Sequence, residues 1–213
     1  MKSTPPSPGT VRLLKNSMLN AEPQTSKVWA ITQRNQNASP LLGLPGDVRN
    51  RILKYGLGGL KIFILRNGKA VVTYGDHQFD EREQNAFLPI QQTCRILYSE
   101  TALLPFSQNW WWYYNMDDLN KFIPRVLPGQ LNAVSTMFFS VSEGRELEDK
   151  RLRGLRHFPC VRQVFVTYKD RAFETSDDDD SPAPWVMKLA KNIQEHAPAD
   201  VAVIYADFNR KFR

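Results

Sequence analysis

A pattern of apolar residues recurs at a fixed displacement in the second half of the chain. Leu131-x-x-Val134-x-x-Met137-x-Phe139 returns as Phe158-x-x-Val161-x-x-Val164-x-Val166, every member shifted by 27 positions. Periods of roughly 20–29 residues belong to leucine-rich arrays, in which each unit is a strand plus a helix and buries its apolar face only by stacking on a neighbour. Glu146–Arg156 supplies a helix between the two copies, with Leu147, Leu152 and Leu155 pointing inward. Trp185, Leu189 and Ile193 mark a last helix, and Val201–Tyr205 a last strand that departs from the repeat as terminal units do. Strand, helix, strand, helix, strand predicts a small parallel sheet with right-handed crossovers.

Upstream of the repeat, Trp110-Trp111-Trp112-Tyr113-Tyr114 alternates two faces of one strand. Stacked rings of this kind can grip bases or a peptide. Basic residues do not interleave with them, so the preferred reading is a strand buried on both sides, its indole N–H groups finding backbone partners. A helix follows, capped by Asn115, with Leu119, Phe122, Ile123, Val126 and Leu127 as its apolar stripe and Pro124 as a kink or end. Earlier still, Lys61–Leu65 and Lys69–Tyr74 flank Arg66-Asn67-Gly68, a hairpin signal because Asn and Gly both tolerate positive φ.

Charge is uneven along the chain. Of a net +6, residues 1–40 carry five basic residues against one acid, and residues 174–213 carry five against eight. The Pro-, Asn- and Gln-rich leader 1–38 therefore predicts a disordered basic tail. Glu174 to Pro182 packs five carboxylates into a short stretch, which predicts a solvated acidic loop over 174–183. Two cysteines, Cys94 and Cys160, are too few for a disulfide framework. No run approaches the ~18 apolar residues of a membrane helix, and the start lacks a secretion h-region. The expected location is cytoplasmic or nuclear, with no membrane partner.

From Ser39 the texture changes. Val48, Ile52 and Tyr55 fall at i, i+4, i+7 of a helix entered through Leu44-Pro45, with Leu53 beside them and Gly56, Gly58 and Gly59 ending it. Pro45 suits the first helical position and Asp47 the positive helix end. A second helix is predicted from Pro89 to Pro105, its stripe being Ile90, Cys94, Leu97, Thr101 and Leu104.

Leu41-Leu42-x-Leu44-Pro45-x-Asp47-Val48-Arg49-Asn50-x-Ile52, followed by Thr93-Cys94-Arg95-x-Leu97-Tyr98-x-Glu100, resembles the F-box-like domain of fungal proteins. The likeness covers roughly residues 39–140 and rests on both motifs together. It departs from an ordinary F-box, a contiguous helical trio, in placing a hairpin and a polar connector between the helices. The resemblance implies docking to the Skp-type adaptor of cullin–RING ubiquitin ligases. The matching contact residues are Leu44, Pro45, Val48, Ile52, Leu53, Cys94, Leu97 and Tyr98. It also implies leucine-rich units that present a surface to a client, as in many F-box proteins.

Motifs for chemistry are missing from the sequence. His77, His157 and His196 are scattered, and the two cysteines lie 66 positions apart, so no zinc spacing arises. No nucleophile elbow, phosphate loop or dinucleotide fingerprint is present. Arg145, Lys150, Arg151, Arg153 and Arg156 alternate with Glu143, Glu146, Glu148 and Asp149, which neutralises them as a phosphate track.

The expectation is a mixed α/β chain in three parts: a tail over 1–38, an F-box-like module with an inserted hairpin over 39–108, and a leucine-rich-like unit over 109–213. Its expected role is non-catalytic recruitment of an unidentified client, with no metal or cofactor. The alternative is a stand-alone interaction or nucleic-acid-binding protein whose first helices are purely structural.

Overall fold

The Asn67-Gly68 turn folds as the sequence predicts and seeds one edge of a six-stranded sheet. The computed structural model describes residues 12–23, 25–73, 88–114, 116–141, 152–168 and 184–207. Strands β1 (Lys61–Ile64) and β2 (Ala70–Thr73) pair antiparallel, with Phe63 opposite Val71. Gly68 adopts φ +74°, and a Cβ there would meet the Lys121 backbone at 2.9 Å. Only glycine satisfies both constraints. The Lys121 ammonium closes the turn by donating to the Arg66 carbonyl at 2.9 Å.

The other strands are β3 (Trp110–Tyr113), β4 (Thr136–Val141), β5 (Gln163–Tyr168) and β6 (Ala202–Asp207). Their order is β2-β1-β3-β4-β5-β6, and every pair beyond the hairpin is parallel. The protein is thus mixed α/β with a mostly parallel sheet. The repeat spacing becomes register: Thr136 lies opposite Gln163 and Met137 opposite Val164. At β6 the displacement lengthens, Gln163 lying opposite Ala202.

Among the described residues the chain forms nine α-helices, five of which send buried side chains into the core on one face of this sheet. They are α1 (Ser26–Ala38), α2 (Pro40–Gly43), α3 (Gly46–Leu57), α4 (Leu88–Thr93), α5 (Arg95–Thr101), α6 (Leu104–Ser107), α7 (Met116–Phe122), α8 (Pro128–Leu131) and α9 (Pro184–His196). The main core joins Ile62, Ile64, Trp111, Tyr113, Met137, Phe139, Val164 and Val166 from the strands to Leu119 and Phe122 of α7 and Leu189 and Ile193 of α9. All eight apolar members of the two repeat copies lie in it.

Three expectations are corrected. The leader is not disordered over its described part. α1 is a helix N-capped by Thr25, and residues 12–20 form a tight turn with a Leu13–Leu19 bridge and Ser17 at φ 63°. Tertiary contacts overrode a polar composition, because Met18 is buried beside Gly129, whose amide donates to the Asn16 carbonyl. The helix predicted from Pro89 to Pro105 is broken at Cys94, whose extended backbone (φ −159°, ψ 164°) separates α4 from α5. Pro45 stands one position before the first helical residue of α3. Of the expected Glu146–Arg156 helix, residues 146–151 lie outside the described residues; Leu152 is helical and Arg153–His157 follow as a 3₁₀ turn. A second 3₁₀ turn, Ile123–Arg125, follows α7 where Pro124 removes an N–H. The acidic loop 174–183, the connector 75–85 and the Asn115 cap lie outside the described residues.

The expected boundary at 108 falls inside continuous pairing. β1 is hydrogen-bonded to β3 as well as to β2, with Lys61 opposite Trp110 and Ile64 opposite Tyr113. Buried Asn109 fastens that junction: its side-chain amide donates to the Leu57 and Pro105 carbonyls at 2.7 and 2.9 Å, and its oxygen accepts from Leu60 N at 2.8 Å.

Candidate functional site

The leucine-proline entry builds a helical front around one buried cation. α2 ends at Gly43 and α3 begins at Gly46, so Leu44 and Pro45 turn the chain between them. From the first turn of α3, Arg49 reaches back under this bend. Its Nη1 donates to the carbonyls of Leu42 and Leu44 at 3.0 and 2.8 Å. Its Nε and Nη2 form a two-pronged pair with the Glu100 carboxylate of α5, both at 2.6 Å. The Glu100 hydrogen bond raises the guanidinium above its ordinary pKa, against the opposing pull of burial. The arginine of one motif and the glutamate of the other thus lock the two motifs together, although 51 residues separate them.

Under that clamp sits a small apolar cluster of Leu42, Leu53 and Leu97, with Cys94 and Leu41 packed at its margin. α3 is consequently split lengthwise. Arg49, Leu53 and Leu57 face inward. Val48, Ile52 and Tyr55 face solvent at 40, 47 and 90% exposure, a strip about two turns long. Soluble chains expose single apolar side chains freely, whereas here three follow one another at helical spacing on one helix face.

The residues expected at an adaptor contact therefore divide. Pro45, Val48 and Ile52 are exposed and Leu44 is half-buried, so these four share the outer surface of the α2–α3 bend. Leu53 and Leu97 are buried in the small cluster and support the surface from behind. Cys94 and Tyr98 are half-buried against the leader. The Tyr98 hydroxyl accepts from Leu19 N at 3.0 Å, and neighbouring Arg95 donates to the Asn20 carbonyl at 3.1 Å. Cys94 also lines a cleft with Val28, Ile31 and Thr32 of α1.

Two features of this front were missing from the expected contact set. Tyr55 carries the most exposed large hydrophobic side chain among the described residues, and its i+7 spacing from Val48 was the signal for it. Arg49 and Glu100 are the clamp; an arginine and a glutamate at matching places in two separated motifs could have announced a pair. The inserted hairpin lies in the sheet, paired to β3, and leaves the outer strip uncovered.

Elsewhere, no described helix is long and apolar enough to cross a membrane. Among the described residues no three His, Cys, Asp or Glu side chains come together in a way that could hold a metal ion. In comparisons with family models, curated proteins and solved structures, nothing matches this chain.

Proposed function

We propose that the chain is a non-catalytic recruiting module: the outer strip of α3 docks an adaptor of the Skp type, and the sheet presents a platform to a client. The observation that carries this reading is the exposure of Val48, Ile52 and Tyr55 on a helix whose opposite face is clamped by Arg49 and Leu53. Preorganisation matters here, because a helix already fixed in place loses little further entropy on seating in a groove. A few such apolar anchors supply most of an interface's energy. The leucine-proline bend supports the same reading, since it is the part of the chain that resembles an F-box and it lies on the same outer surface as the strip.

Capture of a purified Skp-type adaptor by the full chain tests it. Ile52→Asp puts a carboxylate at the middle of the strip, where docking would bury it unpaired. We expect capture to fall by about a hundredfold or more, the equivalent of ~3 kcal/mol, with thermal stability unchanged because Ile52 is exposed. Undiminished capture by the variant, or no capture by the natural chain, removes the adaptor reading.

A further inference from the structure

Arg49 and Arg95 are held alike at one nitrogen and differ at the others. Arg49 donates from Nη1 to two backbone carbonyls and from its Nε–Nη2 edge to the Glu100 carboxylate. Arg95, the first residue of α5, also donates from Nη1 to a backbone carbonyl, that of Asn20 at 3.1 Å. Its Nε–Nη2 edge has no hydrogen-bond or ion-pair partner among the described residues. Such an edge meets a carboxylate through two parallel N–H bonds.

Arg95 lines an open cleft of about 240 Å³ between α1 and the α4–α5 break, and Asn20 is not among the lining residues. Val28 and Ile31 of α1 form one apolar wall, Cys94 and Ile96 the other, and no carboxylate lines the space. None of the lining residues is buried, so the walls are accessible. The side-chain amide of Asn35, also in the cleft, makes no hydrogen bond among the described residues. An enclosed cavity of roughly 150 Å³ takes up one benzene molecule, so on that scale this cleft has room for about ten non-hydrogen atoms. α1 itself has no buried residue. A helix of its length is marginal in water without packing, so a molecule that fills the cleft also fastens α1.

We propose that this cleft binds a small aliphatic carboxylate, a free acid of about eight carbons. The carboxylate pairs with Nε and Nη2 of Arg95, taking the part that Glu100 takes for Arg49. The carbon chain lies between Val28 and Ile31 on one side and Cys94 and Ile96 on the other. A half-buried cation without a counter-charge favours an anion, and the apolar walls favour one that carries a chain. The site is distinct from the outer strip of α3 and does not depend on the adaptor reading.

Octanoate is the probe, added to the full chain carrying Cys160→Ser so that Cys94 is the remaining thiol. Saturation should slow alkylation of Cys94 by iodoacetamide and slow amide hydrogen exchange across α1, with β4 and β5 unchanged. Octanol lacks the charge and acetate lacks the chain, and each should bind at least about tenfold more weakly. Arg95→Gln should lose about the same factor for octanoate and keep the affinity for octanol, which a misfolded variant could not do. Ile31→Glu, at an exposed position, offers Arg95 a carboxylate from within the cleft. It should abolish octanoate binding with thermal stability unchanged. Octanol bound as tightly as octanoate, full octanoate affinity in Arg95→Gln, or saturation that leaves Cys94 and α1 unprotected would overturn the proposal. So would acetyl-Leu-Leu with a free terminal carboxylate binding more than about tenfold tighter than octanoate, since the cleft would then belong to the end of a protein chain.

Discussion

Among the described residues, the helix-covered face of the sheet gathers 22 buried residues into one core, whereas the leucine-proline front packs Leu42, Leu53 and Leu97 beside the Arg49–Glu100 ion pair. The sheet's core draws on every strand from β1 to β5 and on five of the helices, so each side chain is backed by many others. In the front, three hydrogen-bonding nitrogens of Arg49 hold the α2–α3 bend and α5 at once. Apolar burial is non-directional and shared across a core, while a buried cation concentrates its effect at one residue. A region fixed by one clamp can afford an apolar outer strip, because that strip is not needed for its own folding.

The largest effect expected from this contrast is in the sheet. Phe158 begins the second repeat copy and is fully buried in the main core. Phe158→Ala removes a ring from a site packed on all sides and should cost ~3–5 kcal/mol, a large part of a typical domain's stability of about 5–15 kcal/mol. Urea unfolding followed by circular dichroism measures it. A loss under about 1 kcal/mol would mean that the core relaxes into the space and that the repeat copies do not bear on one another as their register implies.

Arg49→Ala should have a smaller and more local effect. It strands the Glu100 carboxylate and leaves the Leu42 and Leu44 carbonyls without their side-chain donor. The expected cost is ~2–4 kcal/mol, read by amide hydrogen exchange as lost protection in α3 and α5 with β4 and β5 unchanged. Equal acceleration in β4 and β5 would show that front and sheet unfold as one unit, which erases the contrast. Because the Glu100 hydrogen bond raises the folded-state pKa of Arg49, this stabilisation is fully present below the ordinary arginine range and is lost only as pH rises through the higher folded value.

Legibility in the sequence followed the same division. Local and periodic signals carried through: the Asn67-Gly68 turn, the alternation of β3, and the displacement of 27 that sets Met137 opposite Val164. Each is written within a few residues or in a repeated spacing. What was not legible depends on partners far apart in the chain. β1 joins β3 as well as β2, a pairing fastened by Asn109, and no local pattern marks it. α1 forms in a stretch rich in Asn and Gln, and the leader turn is held by Tyr98, Arg95 and Gly129. Cys94 falls on a helical stripe by spacing, yet its backbone is extended. At the candidate site the apolar spacing gave Val48, Ile52 and Tyr55 as one face. Burial then separated that face from adjacent Leu53, because the position of Glu100, supplied by α5, decides which side of α3 turns inward.

The smallest predicted effect has the opposite sign and probes the sheet's core from inside. Two β3 side chains on the helix-covered face carry a polar atom into it. The Trp111 indole nitrogen donates to the Phe106 carbonyl at 3.3 Å, whereas the Tyr113 hydroxyl has no hydrogen-bond partner among the described residues. The Tyr113 ring itself is well used, stacked at 5.6 Å on Phe139. Tyr113→Phe keeps that ring and removes only a desolvated oxygen, so it should stabilise the protein by ~1 kcal/mol. Burial also pushes the Tyr113 phenol well above its ordinary value of 10.0, so the folded state resists the charge that the unfolded chain accepts. Stability of the natural chain should therefore fall as pH rises past that ordinary value, and Tyr113→Phe should reduce the fall. Tyr114, pushed up by burial to a lesser degree, titrates in both proteins, so their difference at alkaline pH belongs to Tyr113. If Tyr113→Phe instead destabilises the sheet at neutral pH, the hydroxyl is bonded within the core, and the sheet depends on a directional contact much as the front depends on Arg49.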